Sequence, residues 1–168
     1  MITSWRETGQ KSNACFRSES SVNNLGIFIF DDVEVLDFCG PLEVFGTVNK
    51  LTDDTKLDIF TLAEYHENIE CSSPLTVLPD YDLDHVPAMD YLLVPGGIGT
   101  RSLLDNEYII DWLAEFGPKT DILMSVCTGS LLLAKAGLLD GKLATTHHEA
   151  LEQLKEIGPD VDVIENQR

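Results

Sequence analysis

One cysteine in this chain is framed unlike the others. In SVCTGSLLLAKAGLL (125–139) an apolar run ends at Cys127, and Thr128, Gly129 and Ser130 lead into a Leu/Ala-rich helical stretch. A side chain at such a strand-to-helix corner is raised and open to attack by or on a ligand. The positive end of the following helix dipole is expected to lower the thiol pKa and favour thiolate, the nucleophilic form. The small residues Gly129 and Ser130 permit a tight turn, as in the elbow that presents the serine of many hydrolases. A cysteine is also a common small buried hydrophobe, and the corner alone weighs the two readings evenly.

Two further segments could serve such a thiol. In VPGGIG (94–99), Gly96 and Gly97 follow an apolar run. Glycines there let the backbone approach a ligand closely. Their N–H groups, with that of Thr128, could form an oxyanion hole; a plain turn is the other reading. The spacing is neither that of a P-loop nor of a dinucleotide-binding fingerprint. In EVLDFCGPLEVF (34–45), Asp37 lies soon after the first apolar run. It is either a solvated turn acid or a general acid or base beside the thiol. Glu43 falls in the first turn of a helix opened by Pro41, where a carboxylate suits the dipole without any chemistry.

The elements that must position these residues alternate. LGIFIF (25–30), LDIFTL (57–62), DYLLV (90–94) and DILMSV (121–126) are short and almost wholly apolar, as strands buried on both faces are. Between them, PLEVFGTVNKL (41–51) and NEYIIDWLAEF (106–116) read as helices, the latter with Ile109, Ile110, Leu113 and Phe116 on one face. IECSSPLTVLPD (69–80) reads as two extended pieces around a Ser-Ser-Pro turn. KLATT (142–146), HHEALEQLKEIG (147–158) and VDVI (161–164) add a strand, a helix and a strand. The alternation predicts an α/β domain with a mainly parallel sheet, whose sites gather at the carboxyl ends of strands.

Composition narrows the function classes. The 168 residues carry a formal net charge of −18, which disfavours binding to phosphate backbones. No apolar run is long enough to cross a membrane, and residues 1–24 lack the apolar stretch of a secretory signal. They are expected to be a flexible extension, and the protein cytoplasmic. Cys15, Cys39, Cys71 and Cys127 are dispersed, so free thiols and no metal-ligand set are expected. The H-x-E spacing of His147 and Glu149 invites a catalytic histidine, but Thr146 and Glu149 also have the spacing of a capping box, which needs no catalysis.

Taken together, FDDVEVLDFCGPLEVF, LLVPGGIGT and SVCTGSLLLAKAGLLDGKLATTHHEA resemble the ThiJ/PfpI family of the class I glutamine amidotransferase-like superfamily, in its isonitrile hydratase-like branch. The resemblance covers residues 25–168. It implies a flavodoxin-like, three-layer α/β/α sandwich, a homodimer, and no metal or organic cofactor. Position by position it makes Cys127 the nucleophile and Asp37 the acid bonded to it. It adds Thr128 to the site and makes Gly96 and Gly97 the loop that offers N–H groups. It also implies hydration of a small isonitrile to an N-substituted formamide, and a further C-terminal strand and helix beyond the residues here. The same pattern resembles the ligand-sensing half of AraC-type transcription regulators, and glyoxalase- or protease-like activities occur in the wider family.

Overall fold

The computed structural model describes residues 2–5, 22–52 and 56–166. In chain order the elements are β1 (Ile2–Trp5), β2 (Asn23–Phe28), α1 (Val35–Leu51), β3 (Leu57–Ala63), β4 (Ile69–Glu70), β5 (Thr76–Val77), β6 (Tyr81–Asp82), β7 (Tyr91–Val94), α2 (Thr100–Leu103), α3 (Glu107–Phe116), β8 (Ile122–Val126), α4 (Gly129–Lys135), β9 (Leu143–Ala144), α5 (Leu151–Ile157) and β10 (Asp162–Val163). The main sheet has the order β1-β8-β7-β2-β3-β6. The five strands from β8 to β6 are parallel, and helices flank them. This is the parallel α/β architecture that the alternating pattern predicts, and it agrees with the flavodoxin-like sandwich that the resemblance implies.

β2 sits between β7 and β3, which explains its unbroken apolar run: Leu25, Ile27 and Phe28 are fully buried. A strand with neighbours on both edges and helices over both faces has no polar side to spare. Leu92, Leu93 and Val94 of β7 are buried in the same way. α1 packs on β3, and α4 packs on β8, α3 and α5. On α3, Ile109 and Leu113 are buried as the periodicity predicts. Trp112 joins them, and its ring stacks on Phe116 at 4.9 Å.

Three details differ from the sequence-based expectation. α1 starts at Val35, well before Pro41, which lies inside the helix and is buried. Proline has no N–H to give the carbonyl four residues back, and that carbonyl belongs to Asp37. Asp37 is thus a first-turn helix residue, not a turn residue. Secondly, Ile2–Trp5 is a strand, antiparallel to β8 from Ile2↔Val126 to Trp5↔Leu123, in a region expected to be a flexible extension. The rest of that segment up to residue 21, with Cys15, lies outside the described residues. Thirdly, β9 and β10 pair with each other and stand apart from the main sheet.

β8, β7 and β2 are neighbours, so the loops at their carboxyl ends meet. These loops carry Cys127, Gly96–Gly97 and the Asp31–Glu34 turn that feeds α1.

Candidate active site

Cys127 follows the last residue of β8 and has φ of 51°, a left-handed conformation that side chains other than glycine rarely adopt. The strain is held from outside the corner. Its carbonyl accepts hydrogen bonds from the Ser130 hydroxyl at 3.2 Å and the Thr146 hydroxyl at 3.1 Å. Thr146 therefore does not cap the last helix. There the His147 ring accepts from the Glu149 N–H at 3.3 Å, correcting the capping-box expectation.

The glycine loop is pinned to the start of α1. Val33 and Gly97 form an antiparallel bridge, and the Glu34 N–H donates to the Gly96 carbonyl at 2.9 Å. Gly97 has φ of 139°, and a Cβ there would collide with the backbone of Asp32, Val33 and Glu34. This clamp holds the first turn of α1 against Cys127. The Asp37 carboxyl accepts the Gly96 N–H at 3.2 Å and lies beside Cys127, the two lining one cavity. The Thr128 hydroxyl accepts the Gly97 N–H at 3.0 Å, and the Thr100 hydroxyl donates to the Gly97 carbonyl at 2.8 Å.

The structure thus brings Cys127, Asp37, Thr128, Gly96 and Gly97 together, with one correction. The N–H groups of Gly96 and Gly97 are not open to a ligand as the glycine loop suggests. Each has a side-chain acceptor, Asp37 and Thr128 respectively, so the loop positions the acid and the threonine. Glu43 is not brought to the site. It lies on an exposed flank of α1, accepting from the Thr47 hydroxyl at 3.2 Å and facing Lys50 Nζ at 3.9 Å.

The electrostatics also differ from expectation. The Cys127 thiol pKa is raised, first by burial and then by the negative charge of Asp37. The N–H and hydroxyl of Thr128 oppose this without reversing it. The dipole end expected to lower it belongs to a helix of only 7 residues. Asp37 is raised as well, mainly by burial and further by Glu34, against hydrogen bonds from Gly96 and Cys127. Burial works against the charged form of each, so a proton can pass between the neighbouring thiol and carboxyl.

The sign for stability follows. A carboxyl whose folded pKa is raised favours the fold fully below its unfolded pKa. That contribution is lost as pH rises through the folded pKa. Asp37→Asn keeps an oxygen for the Gly96 N–H and removes the charge. It is expected to raise Tm at pH 7 by no more than a few degrees. The difference should shrink as pH falls through the carboxylate range, in thermal melts of the two proteins across pH.

The pair opens into a cavity of about 250 Å³ lined by Asp37, Ser125, Val126, Cys127, Thr145, Thr146 and His147. Ser125 and Thr145 join the site without a motif to mark them, and Thr146 joins it in place of the helix cap its spacing suggests. Ser125 carried a usable signal, since it stands two residues before Cys127 on a strand and so on the same side. A larger cavity of about 670 Å³ beside β8 and the end of α4 shares Ser125, is lined in part by Leu123, Leu133, Leu138 and Leu139, and holds no cysteine among the described residues. At the rim of the smaller one, ligand atoms of His147, His148 and Glu149 lie within 4.8 Å of one another, close enough to share a cation. Among the described residues no helix is long and apolar enough to cross a membrane.

The chain is similar to several known proteins. The chain is 32% identical over 133 residues to an isonitrile hydratase of Pseudomonas putida, a match covering 77% of this chain and 56% of that protein. It is 30% identical over 138 residues to the HTH-type transcriptional regulator GbdR of Pseudomonas aeruginosa, covering 82% of this chain and 37% of the regulator. The chain thus spans little more than half the length of one relative and less of the other. Among solved structures, a ThiJ/PfpI family protein from Pseudomonas syringae superposes with a TM-score of 0.74 at 23% identity, over 90% of this chain and 62% of that one. An AraC family transcriptional regulator from Pseudomonas putida gives 0.74 at 20%, over 84% and 76%. The family model for DJ-1/PfpI matches residues 24–165, the span that holds the elbow, the glycine loop and Asp37, and the chain belongs to the DJ-1/PfpI family.

Proposed function

We propose that this protein is a cysteine-dependent hydratase acting on small isonitriles. The observation that carries this reading is the placement of Asp37 beside Cys127 at the strained corner, both facing one small cavity. The similarity to an isonitrile hydratase supports it.

A proton passed from thiol to carboxyl gives the chemistry its order. As the Cys127 sulfur bonds to the terminal carbon of R–N≡C, the thiol proton passes to Asp37. Asp37 then delivers it to that carbon, giving the thioimidate R–N=CH–S–Cys127. Water adds to the same carbon, and nitrogen takes a proton. The C–S bond breaks to release R–NH–CHO, and sulfur recovers its proton. The sum is isonitrile plus water to formamide, with no redox step. The raised pKa of Asp37 suits the task, because it makes the carboxyl a better carrier of the thiol proton. The test is to incubate the protein with cyclohexyl isocyanide and measure N-cyclohexylformamide. Formamide above the uncatalysed rate is the expected result.

A sensing role is the second reading, favoured by the 30% identity to a transcriptional regulator over 82% of this chain. A folded protein that makes no formamide, yet gains Tm with a small neutral ligand, would support sensing over hydration.

The homodimer is also a proposal. Leu36, Val44 and Leu51 of α1 are 74%, 62% and 78% exposed, with Gly40 in the same row. An apolar row on an exposed helix face suits a second copy. The expected solution mass is that of two chains, falling to one in Leu36→Glu/Val44→Glu, by light scattering after size exclusion.

A further inference from the structure

Two hydroxyls in the Cys127 cavity have no part in the scheme above. Ser125 on β8 is 3% exposed, Thr145 just after β9 is 9% exposed, and both line the cavity. The other hydroxyls around the corner are engaged: Thr128 with Gly97, and Ser130 and Thr146 with the Cys127 carbonyl. Among the described residues neither Ser125 nor Thr145 has a side-chain hydrogen-bond partner. Both hydroxyls are open to the cavity, where they can bond an occupant that offers a donor or an acceptor. Charge limits that occupant. The described lining holds no Lys or Arg, and Asp37 is its one carboxylate. An anion would meet repulsion from Asp37, with His147 the one group of the described lining able to carry an opposing charge.

We propose that Ser125 and Thr145 form the polar end of the cavity, holding an oxygen of a small uncharged ligand close to the Cys127 sulfur. The inference deepens the hydratase reading and, for one point only, rests on it: there the oxygen is that of the water added to the thioimidate carbon, and then of the formamide. A hydroxyl can both accept from that water and donate to the oxygen it becomes. The cavity thus favours neutral substrates over those carrying a carboxylate.

The test uses the full chain and a probe independent of isonitrile turnover. Alkylation of the Cys127 peptide is followed by mass spectrometry with iodoacetamide, which is neutral and has a carbonyl oxygen, and with iodoacetate. Rates are compared for wild type, Ser125→Ala, Thr145→Val and the double variant, after melts confirm folding. The double variant is expected to lose about fivefold in iodoacetamide rate, the worth of one to two hydrogen bonds. Its iodoacetate rate should be unchanged. The single variants, each losing part of that, carry the test if the double variant does not fold. Equal losses with both reagents, or none, would overturn the assignment. Formamide production is measured alongside. A wild type that makes none refutes the hydratase reading, while the change in reagent ratio still decides the role of the two hydroxyls.

Discussion

Cys127→Ala is expected to lower formamide production from cyclohexyl isocyanide by at least about 10³-fold, with little change in Tm. Among the described residues the cavity holds no second thiol, and the His147 ring is engaged through Nδ1 with the Glu149 N–H. Ser125 and Thr145 are neutral hydroxyls with no base bonded to them, and the Thr146 hydroxyl is tied to the Cys127 carbonyl. Asp37 alone could orient water, but water must then attack an isonitrile carbon with no covalent intermediate to divide the barrier. The fold should tolerate the change. Alanine meets the same backbone demand at φ of 51° as cysteine does, and the hydrogen bonds holding the corner end on the carbonyl of residue 127. The readout is product formation by chromatography, with a melt on the same sample. Near wild-type activity in this variant would remove the thiol from the mechanism.

Gly129→Ala is expected to cost about 3 kcal/mol, at the upper end of overpacking effects. For a chain of this size that is a fall of about 6–12 °C in Tm. Gly129 opens α4 at the point where the helix start presses on the loop after β7. A Cβ built there would lie 2.1 Å from the Val94 carbonyl oxygen and 2.7 Å from that of Pro95. Both obstacles are backbone, and Val94 closes a strand in the middle of the sheet, so neither can swing aside as a side-chain tip could. Displacing them would move Gly96 and with it the N–H that Asp37 accepts. Gly46→Ala is the control. A Cβ there meets nothing within 4 Å, and the site lies inside α1. This change should raise stability by about 0.5–1 kcal/mol, because alanine loses less chain entropy in a helix. Thermal melts of both variants measure the contrast. A Gly129→Ala protein as stable as wild type would mean that the corner is not tightly packed.

Much of this was legible from local pattern. The buried runs around Ile27, Leu93 and Met124 became parallel strands because apolar residues on both sides of a pleat need cover on both faces. The Cys127 corner was visible because a strand pattern gives way to a helical one across Thr128 and Gly129. What sequence concealed was set by contacts between distant residues. Pro41 looked like the first residue of a helix, which hid the turn carrying Asp37. The N–H groups of Gly96 and Gly97 looked free because their acceptors lie 59 and 31 residues away. Thr146 looked like a helix cap, since its acceptor at Cys127 is 19 residues back. The thiol pKa was expected to fall on the strength of one dipole. Burial and the Asp37 charge, both products of the fold, outweigh it.

The covalent step can be seen directly. Wild-type protein mixed with excess cyclohexyl isocyanide and quenched within one turnover should carry one added isocyanide mass, on the peptide containing Cys127. That adduct should decay at the rate at which N-cyclohexylformamide appears. Formamide formed steadily while the Cys127 peptide stays unmodified at every time point would contradict a cysteine nucleophile in this protein.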